Sequence, residues 1–310
     1  MTRPTDTIFQ ESWWLDTVAP GAWSAIDYYE DGQLRAWMPL VARPRRLGFR
    51  HLGMPPLTQT LGPWIQPVDG SSYRQISKIH DYTSALLRQI PECDYFNQNA
   101  HYDLEDTLPF HWQGFENNVR YTYVLEDLSD VDALWSNMAG RPRRAIRKAE
   151  KVVSVQETDN VNLFVELYIK TFARQDLDTP VNAETIRAVY TAARARNAVK
   201  ILCARDAKGV AHAAVFLLYD HRTTYYLMGG SDPQLRESQA LSLLLWEGIK
   251  FASTVSERFD FEGSMIESVE SFFRSFGASR KTYYAISKMS TRFRLAWDAR
   301  AAFRRFRDRD

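Results

Sequence analysis

The spacing of apolar residues divides the second half of the chain into short elements. VVSVQE (152–157) alternates apolar and polar residues, the period of a half-buried strand. From Asn162 to Gln175 apolar residues fall at 163, 164, 167, 168 and 172, one face of a helix. A second helix runs from Asn182, its N-cap after Pro180, to Asn197. VKILCARD (199–206), VAHAAVFLLYD (210–220) and TTYYLMGG (223–230) read as strands, with tight turns at Lys208-Gly209 and His221-Arg222. A helix over 238–254 follows, capped by Ser238. Then come a strand at Arg258–Glu262, a helix at Ile266–Phe276 ended by Gly277, and a strand at Lys281–Lys288. The predicted order is β-α-α-β-β-β-α-β-α-β.

The first half predicts nearly the same order. A helix around Phe9–Ala19 precedes strands at 22–30, 33–42 and 46–54. A connection rich in Pro and Gly (55–70) leads to a helix over Ser71–Ile90, a strand DYFNQN (94–99), a short helix around Leu104–Gln113 and a strand VRYTYVL (119–125). The ends of the halves also match locally. FHWQG (110–114) and FRSFG (273–277) both place Phe four residues before Gly, and Tyr121 and Tyr284 follow those glycines by seven. Asn97 and Asp260 each precede their Gly by seventeen residues. The chain reads as an internal duplication of one unit of mixed strands and helices.

Composition narrows the function classes. The 310 residues are 45% hydrophobic and 25% charged with net charge +1, an ordinary globular balance with no overall basic excess for nucleic acid. Cys93 and Cys203 lie far apart in apolar runs and read as core residues. No apolar run approaches the ~18 residues that span a bilayer. The N-terminus has no signal-peptide core, so a cytoplasmic location is expected. His-Glu-x-x-His, Cys-x-x-Cys, nucleophile-elbow and P-loop patterns are absent, which argues against a metal enzyme or a serine hydrolase. Aromatic residues reach 13%, enough to fill a core and line a pocket.

Charge concentrates in three places. FDFEGS (259–264) puts Asp260 and Glu262 on one face of a core strand, where unpaired carboxylates are costly. They either accept a proton from an attacking amine or serve structure, with Glu262 or Ser264 capping the next helix. Arg274 on that helix is placed to pair with either acid. RPRRAIRKAEK (141–151) gathers Arg141, Arg143, Arg144, Arg147, Lys148 and Lys151, a solvated helix face or a phosphate clamp. The tail 290–310 carries Arg292, Arg294, Arg300, Arg304, Arg305, Arg307 and Arg309 against Asp298, Asp308 and Asp310. It reads as a basic helix docked on its own domain, or in contact with tRNA or an anionic membrane. In the strand pairs Tyr225-Tyr226 and Tyr283-Tyr284 one ring faces each side of the sheet. Tyr226 and Tyr284 are the candidates for an acceptor site.

RPRRAIRKAEK, FVELYIKTFARQ (164–175), MGGSDPQLRESQALSLLLWEGIKFA (228–252) and FDFEGSMIESVESFFRSFGA (259–278) together resemble the Fem-type, tandem-GNAT acyltransferases. The resemblance is clearest over 119–288 and implies an α/β mixed-sheet fold. It implies GNAT-like domains at 1–127 and 128–290 with a basic C-terminal helix at 291–310. It implies transfer of an aminoacyl group from aminoacyl-tRNA to a primary amine of a peptide, sugar or nucleotide-linked precursor, without a tightly bound cofactor. Arg144, Arg147 and Lys148 match the segment that holds a precursor's diphosphate in that family. Members that use coenzyme A open their main helix with a Gly-rich pyrophosphate loop. Here that loop reads Arg236-Glu237-Ser238-Gln239-Ala240-Leu241, whose side chains crowd the cradle and whose Glu237 repels phosphate. An acyl-coenzyme A or carrier-protein donor is the alternative, and a non-catalytic partner at an anionic surface the second alternative.

Overall fold

The computed structural model describes residues 3–46, 48–173 and 178–307. The chain folds as two compact units, Met1–Arg120 with Tyr283–Asp310, and Tyr121–Thr282.

The first unit opens with a 3-10 turn and α1 (Ser12–Val18), which bury Phe9, Trp14 and Leu15. Strands β1 (Trp23–Glu30), β2 (Gln33–Arg46) and β3 (Phe49–Leu52) run antiparallel in sequence order, and β4 (Trp64–Ile65) pairs with β2. The short strand β4 lies in the Pro/Gly-rich connection, where two residues are too few for a period to register. Helix α2 (Ser72–Leu87) is capped by Ser71 and packs Tyr82, Leu86 and Leu87 with Ala36, Met38 and Phe96. Strand β5 (Tyr95–Asn99) lies parallel to β3, and α3 (Leu108–Trp112) follows.

Strand β6 (Glu116–Leu125) leads into the second unit. There α4 (Val131–Asn137) and α5 (Gly140–Ala149) precede β7 (Val153–Glu157), α6 (Val161–Ala173) and α7 (Ala183–Arg194). Asn182 caps α7 as expected, accepting the Thr185 N–H at 2.8 Å. Strands β8 (Val199–Asp206), β9 (Ala211–Tyr219) and β10 (Thr223–Ser231) are antiparallel. Helix α8 (Ala240–Ala252), β11 (Arg258–Asp260), α9 (Glu267–Arg274), β12 (Ser279–Met289) and α10 (Thr291–Arg307) complete the chain. Strand β9 is buried on both faces, which is why it reads as a continuous apolar run. Val215 and Leu217 join the cluster of α8, while Phe216 meets Phe164 of α6 and Tyr190 of α7.

The mixed-sheet fold matches expectation, but the units cross the expected division at 127/128. From Tyr283 onward β12 pairs with β5 in the first unit, and β6 pairs with β11 in the second. Each half of the sequence supplies the strand that closes the other half's sheet. Helix α10 belongs to the first unit. The expected helix end at Gln175 and the tail residues Asp308, Arg309 and Asp310 lie outside the described residues.

Candidate functional site

Strands β10 and β11 are parallel neighbours at Thr223↔Arg258, Thr224↔Phe259 and Tyr225↔Asp260, and their pairing ends there. Beyond it β10 stays with β9, through an irregularity between Tyr226 and Met228. Asp260 is fully buried. Its Oδ1 accepts the Thr122 hydroxyl at 2.5 Å and the Glu262 N–H at 2.7 Å. That second bond ends the strand. Glu262 and Gly263 turn left-handed, with φ +58° and +63°. Asp260 and Glu262 therefore do not share a strand face, a correction to the expectation above.

A left-handed Glu costs about 1–2 kcal/mol, and glycine removes that cost at the next position. Gly263 is also required by contact, because a Cβ there would sit 2.2 Å from the Tyr121 carbonyl oxygen. The Glu262 carboxylate is shielded, and its Oε1 has no hydrogen-bond partner among the described residues. Burial, and then the neighbouring Asp260 charge, push its pKa well above the ordinary carboxylate value.

The second unit encloses a cavity of about 650 Å³. The two tyrosines of β10 divide as expected: Tyr225 is buried and Tyr226 lines this cavity. Burial raises the Tyr226 phenol far above its ordinary value. Its hydroxyl lies against Gly229, where a Cβ would be 2.0 Å away, so the glycine makes room for the ring. The N-terminus of α8 forms another wall. Ser238 is not its cap, because the Ser238 hydroxyl donates to the Leu235 carbonyl at the end of the 3-10 turn Pro233–Ser238. The N-cap is Gln239, left-handed at φ +60° and making no side-chain capping bond. Arg236 and Glu237 line the cavity beside it.

The basic stretch contributes differently from expectation. Helix α5 buries Pro142, Ile146 and Ala149, which turns Arg144, Arg147 and Lys148 outward. The Arg147 guanidinium lies over the Trp135 ring at 5.7 Å. Arg141, at the start of the helix, is the residue of that stretch that reaches the cavity. Arg274 pairs with neither Asp260 nor Glu262 but with Glu270 at 2.9 Å, and Glu270 also accepts the Tyr123 hydroxyl. That pairing spans one helical turn, the closest acid available on the same helix face. Ser264 accepts the Ile266 N–H at 3.0 Å, just ahead of α9, whose N-cap Ile266 makes no side-chain capping bond. Tyr284 belongs to the first unit, where its carbonyl accepts the Ala100 N–H at 2.9 Å. It is not part of the cavity, because β12 has passed into the other unit one residue earlier.

One cavity residue was not anticipated. His212 of β9 is buried, and neither ring nitrogen has a hydrogen-bond partner among the described residues. Its Nε2 lies 3.5 Å from the Asp206 carboxylate. The signal was present as a lone polar letter in VAHAAVFLLYD, but periodicity assigns it only to a core strand.

Residues 136–264, inside the second unit, match the family described as the acetyltransferase (GNAT) domain. The structure of FemX superposes with TM-score 0.68 at 14% identity, covering 91% of this chain and 92% of that one. This is the Fem-type tandem-GNAT fold. The C-terminal domain (DUF2156) of a putative lysylphosphatidylglycerol synthetase from Agrobacterium fabrum matches with TM-score 0.55 at 10% identity, over 91% of this chain and 92% of that one. A tandem GNAT protein from the clavulanic acid biosynthesis pathway matches with TM-score 0.50 at 10% identity, over 89% and 94%. No curated protein matches the sequence. The matched segment of the second unit is similar to the acetyltransferase (GNAT) domain, and the chain shares the fold of these structures.

Proposed function

We propose that the chain moves an aminoacyl group from an aminoacyl-tRNA ester to the primary amine of a peptide, sugar or nucleotide-linked precursor, in the cytoplasm. The observation that carries this reading is the loop at the cavity wall. A 3-10 turn binds up its own amides, Gln239 stands at the helix start, and Glu237 lies beside it. Such a loop is a poor cradle for a free pyrophosphate, which asks for small residues and open N–H groups. An acid there suits the ammonium of an aminoacyl group.

In this reading Glu262, whose shielded Oε1 has no hydrogen-bond partner among the described residues, takes the proton from the attacking ammonium. The amine nitrogen then bonds to the ester carbonyl carbon, and the carbon–oxygen bond to the ribose breaks. The second N–H proton ends on the departing ribose oxygen. Tyr226 lines the cavity as a neutral donor for that oxygen or for the carbonyl. Asp260 holds the turn that carries Glu262.

A second reading, an acyl-coenzyme A donor, has its own support. The uncapped N-terminus of α8 lies near Arg141 and Arg236, and helix N-termini attract phosphate. Incubation with labelled aminoacyl-tRNA and a panel of amines tests the first reading. The expected result is ribonuclease-sensitive transfer of label to an amine. Micromolar binding of coenzyme A by calorimetry, with no tRNA-dependent transfer, would favour the second.

A further inference from the structure

Resting on the aminoacyl-tRNA reading above, we propose that the outward face of α5 guides the acceptor arm of the tRNA, 3′ end first, into the cavity. Helix and cavity both belong to the second unit. Arg141 is exposed and also lines the cavity, so it stands at the rim. From there cations recur at 144, 148 and 151, in steps of three, four and three residues. Such steps keep them within about 80° around a helix and spread them over about 15 Å of its length. Arg144 and Lys148 are exposed, and the buried residues Pro142, Ile146 and Ala149 lie on the other side. Lys151, also exposed, extends the line through the turn after the helix, where its N–H reaches the Lys148 carbonyl at 3.3 Å.

This line of charge works against its own helix. Arg141 repels Arg144, and Arg144 repels Lys148, each across about one turn. Arg141 and Arg144 also sit at the positive end of the helix dipole, in a first turn that holds no acid. None of the four cations has an ion-pair partner among the described residues. Glu150, the single acid of residues 141–151, falls outside the line by helical spacing. Local choices that oppose the fold are expected where function needs them, and a chain of phosphates relieves these repulsions together. The arrangement also selects among anions. A small nucleotide donor presents its phosphates inside the cavity, while these cations continue for about 15 Å from its rim. An acidic bilayer asks for large apolar side chains on the same face, and α5 buries its Ile146 instead. An RNA strand supplies phosphates in line and needs only cations to meet them.

Filter binding of the full chain with bulk unacylated tRNA, over a series of salt concentrations, tests this. The parent should bind with an affinity that falls steeply as salt rises. The double variant Arg144→Gln with Lys148→Gln should weaken binding at least about tenfold and reduce the salt slope by about two, one for each phosphate contact. Arg143→Gln, off the line, should change neither. Arg141→Gln should weaken binding of an RNA hairpin with a single-stranded 3′ end, and not that of the same hairpin cut blunt. The double variant should melt at or above the parent, since it removes a repulsion. A lowered melting temperature overturns the proposal, because the cations would then serve the fold. So do equal losses in Arg143→Gln and the double variant, or no retention of tRNA by the parent at low salt. Unchanged tRNA affinity in the double variant, with ribonuclease-sensitive transfer of label intact, overturns the α5 surface and leaves the donor reading standing. Binding lost in the double variant of a parent that transfers no label would remove the donor reading and keep the RNA surface. Sedimentation with phosphatidylglycerol vesicles that the double variant loses, with tRNA binding unchanged, would overturn it in favour of a membrane.

Discussion

Each unit has one place where two parallel strands part, and the two places carry different charges. In the first unit β3 and β5 pair at His51↔Tyr95 and Leu52↔Phe96, and the next residue is Asn97. Asn97 Oδ1 meets His51 Nε2 at 2.6 Å. Burial lowers the His51 pKa below its ordinary value, so this pair is neutral at physiological pH. Asn99 donates to the Gln59 carbonyl at 2.9 Å. In the second unit the same place holds Asp260 and Glu262, with a left-handed turn and a raised carboxyl pKa. The strand geometry is shared. What differs is whether the polar groups at the parting satisfy each other or keep a proton-accepting group in reserve.

The largest expected effect breaks that contrast directly. Glu262→Gln should lower kcat by about 10²–10⁴, the usual contribution of a general base. Asn97→Ala should instead lower stability by about 1–2 kcal/mol and leave kcat per folded molecule unchanged. Equal losses of kcat in both variants would remove the functional distinction between the units. The same substitution has a sign in stability. The folded pKa of Glu262 lies above its unfolded value, so its contribution is full below the unfolded value and is lost as pH rises through the folded one. Glu262→Gln does not titrate, so its melting temperature should exceed the parent's above that window and show no pH-dependent gain below it. A gain that grows toward acid pH would contradict the burial argument.

Next in size is the turn itself. Gly263→Ala adds a Cβ against the Tyr121 carbonyl at a positive φ and should cost at least about 3 kcal/mol in urea unfolding. Gly209→Ala also has a positive φ but meets open space, and should cost about 1 kcal/mol. Similar costs would mean that the turn is not held by its contact with β6.

Much of this fold was legible because its elements are periodic. The cap at Asn182, the run of β8 to β10 and the division of Tyr225 from Tyr226 all follow from local spacing. The strand that crosses between units was not legible, because pairing β12 with β5 is a long-range choice that leaves no local mark. The strand end at Asp260 was missed for a related reason. Alternation extends naturally to Glu262, and only the hydrogen bond from the Glu262 N–H to the Asp260 carboxylate reveals the turn. The outward direction of Arg144, Arg147 and Lys148 was not legible because composition does not give rotation. The buried positions of α5 decide which arginine faces inward, and they select Arg141.

A smaller effect tests the cavity wall. Gly229→Ala should displace the Tyr226 ring, since its Cβ would overlap the hydroxyl. It should lower kcat together with Tyr226→Phe, by about tenfold to a hundredfold each, while the far-ultraviolet spectrum stays that of the folded chain. A fall in Gly229→Ala without one in Tyr226→Phe would mean that shape, and not the hydroxyl, matters at this wall.

The smallest effect belongs to His212, and its sign is the informative part. Its two ring nitrogens are buried without hydrogen bonds, so the imidazole is a cost to the empty fold. Asp206 is held mainly by the Lys208 and Val210 amides, which each reach its carboxylate at 2.9 Å, and His212 contributes less. Those amides keep it ionised, the Val210 bond contributing most to its lowered pKa. His212→Leu should therefore stabilise the protein by about 1 kcal/mol in urea unfolding and raise the KM for the donor. A neighbour on the second unit's core that merely filled space would lose stability on replacement and leave KM alone. A stabilised variant with a weakened donor would instead show that the unit retains an unsatisfied imidazole for what enters the cavity.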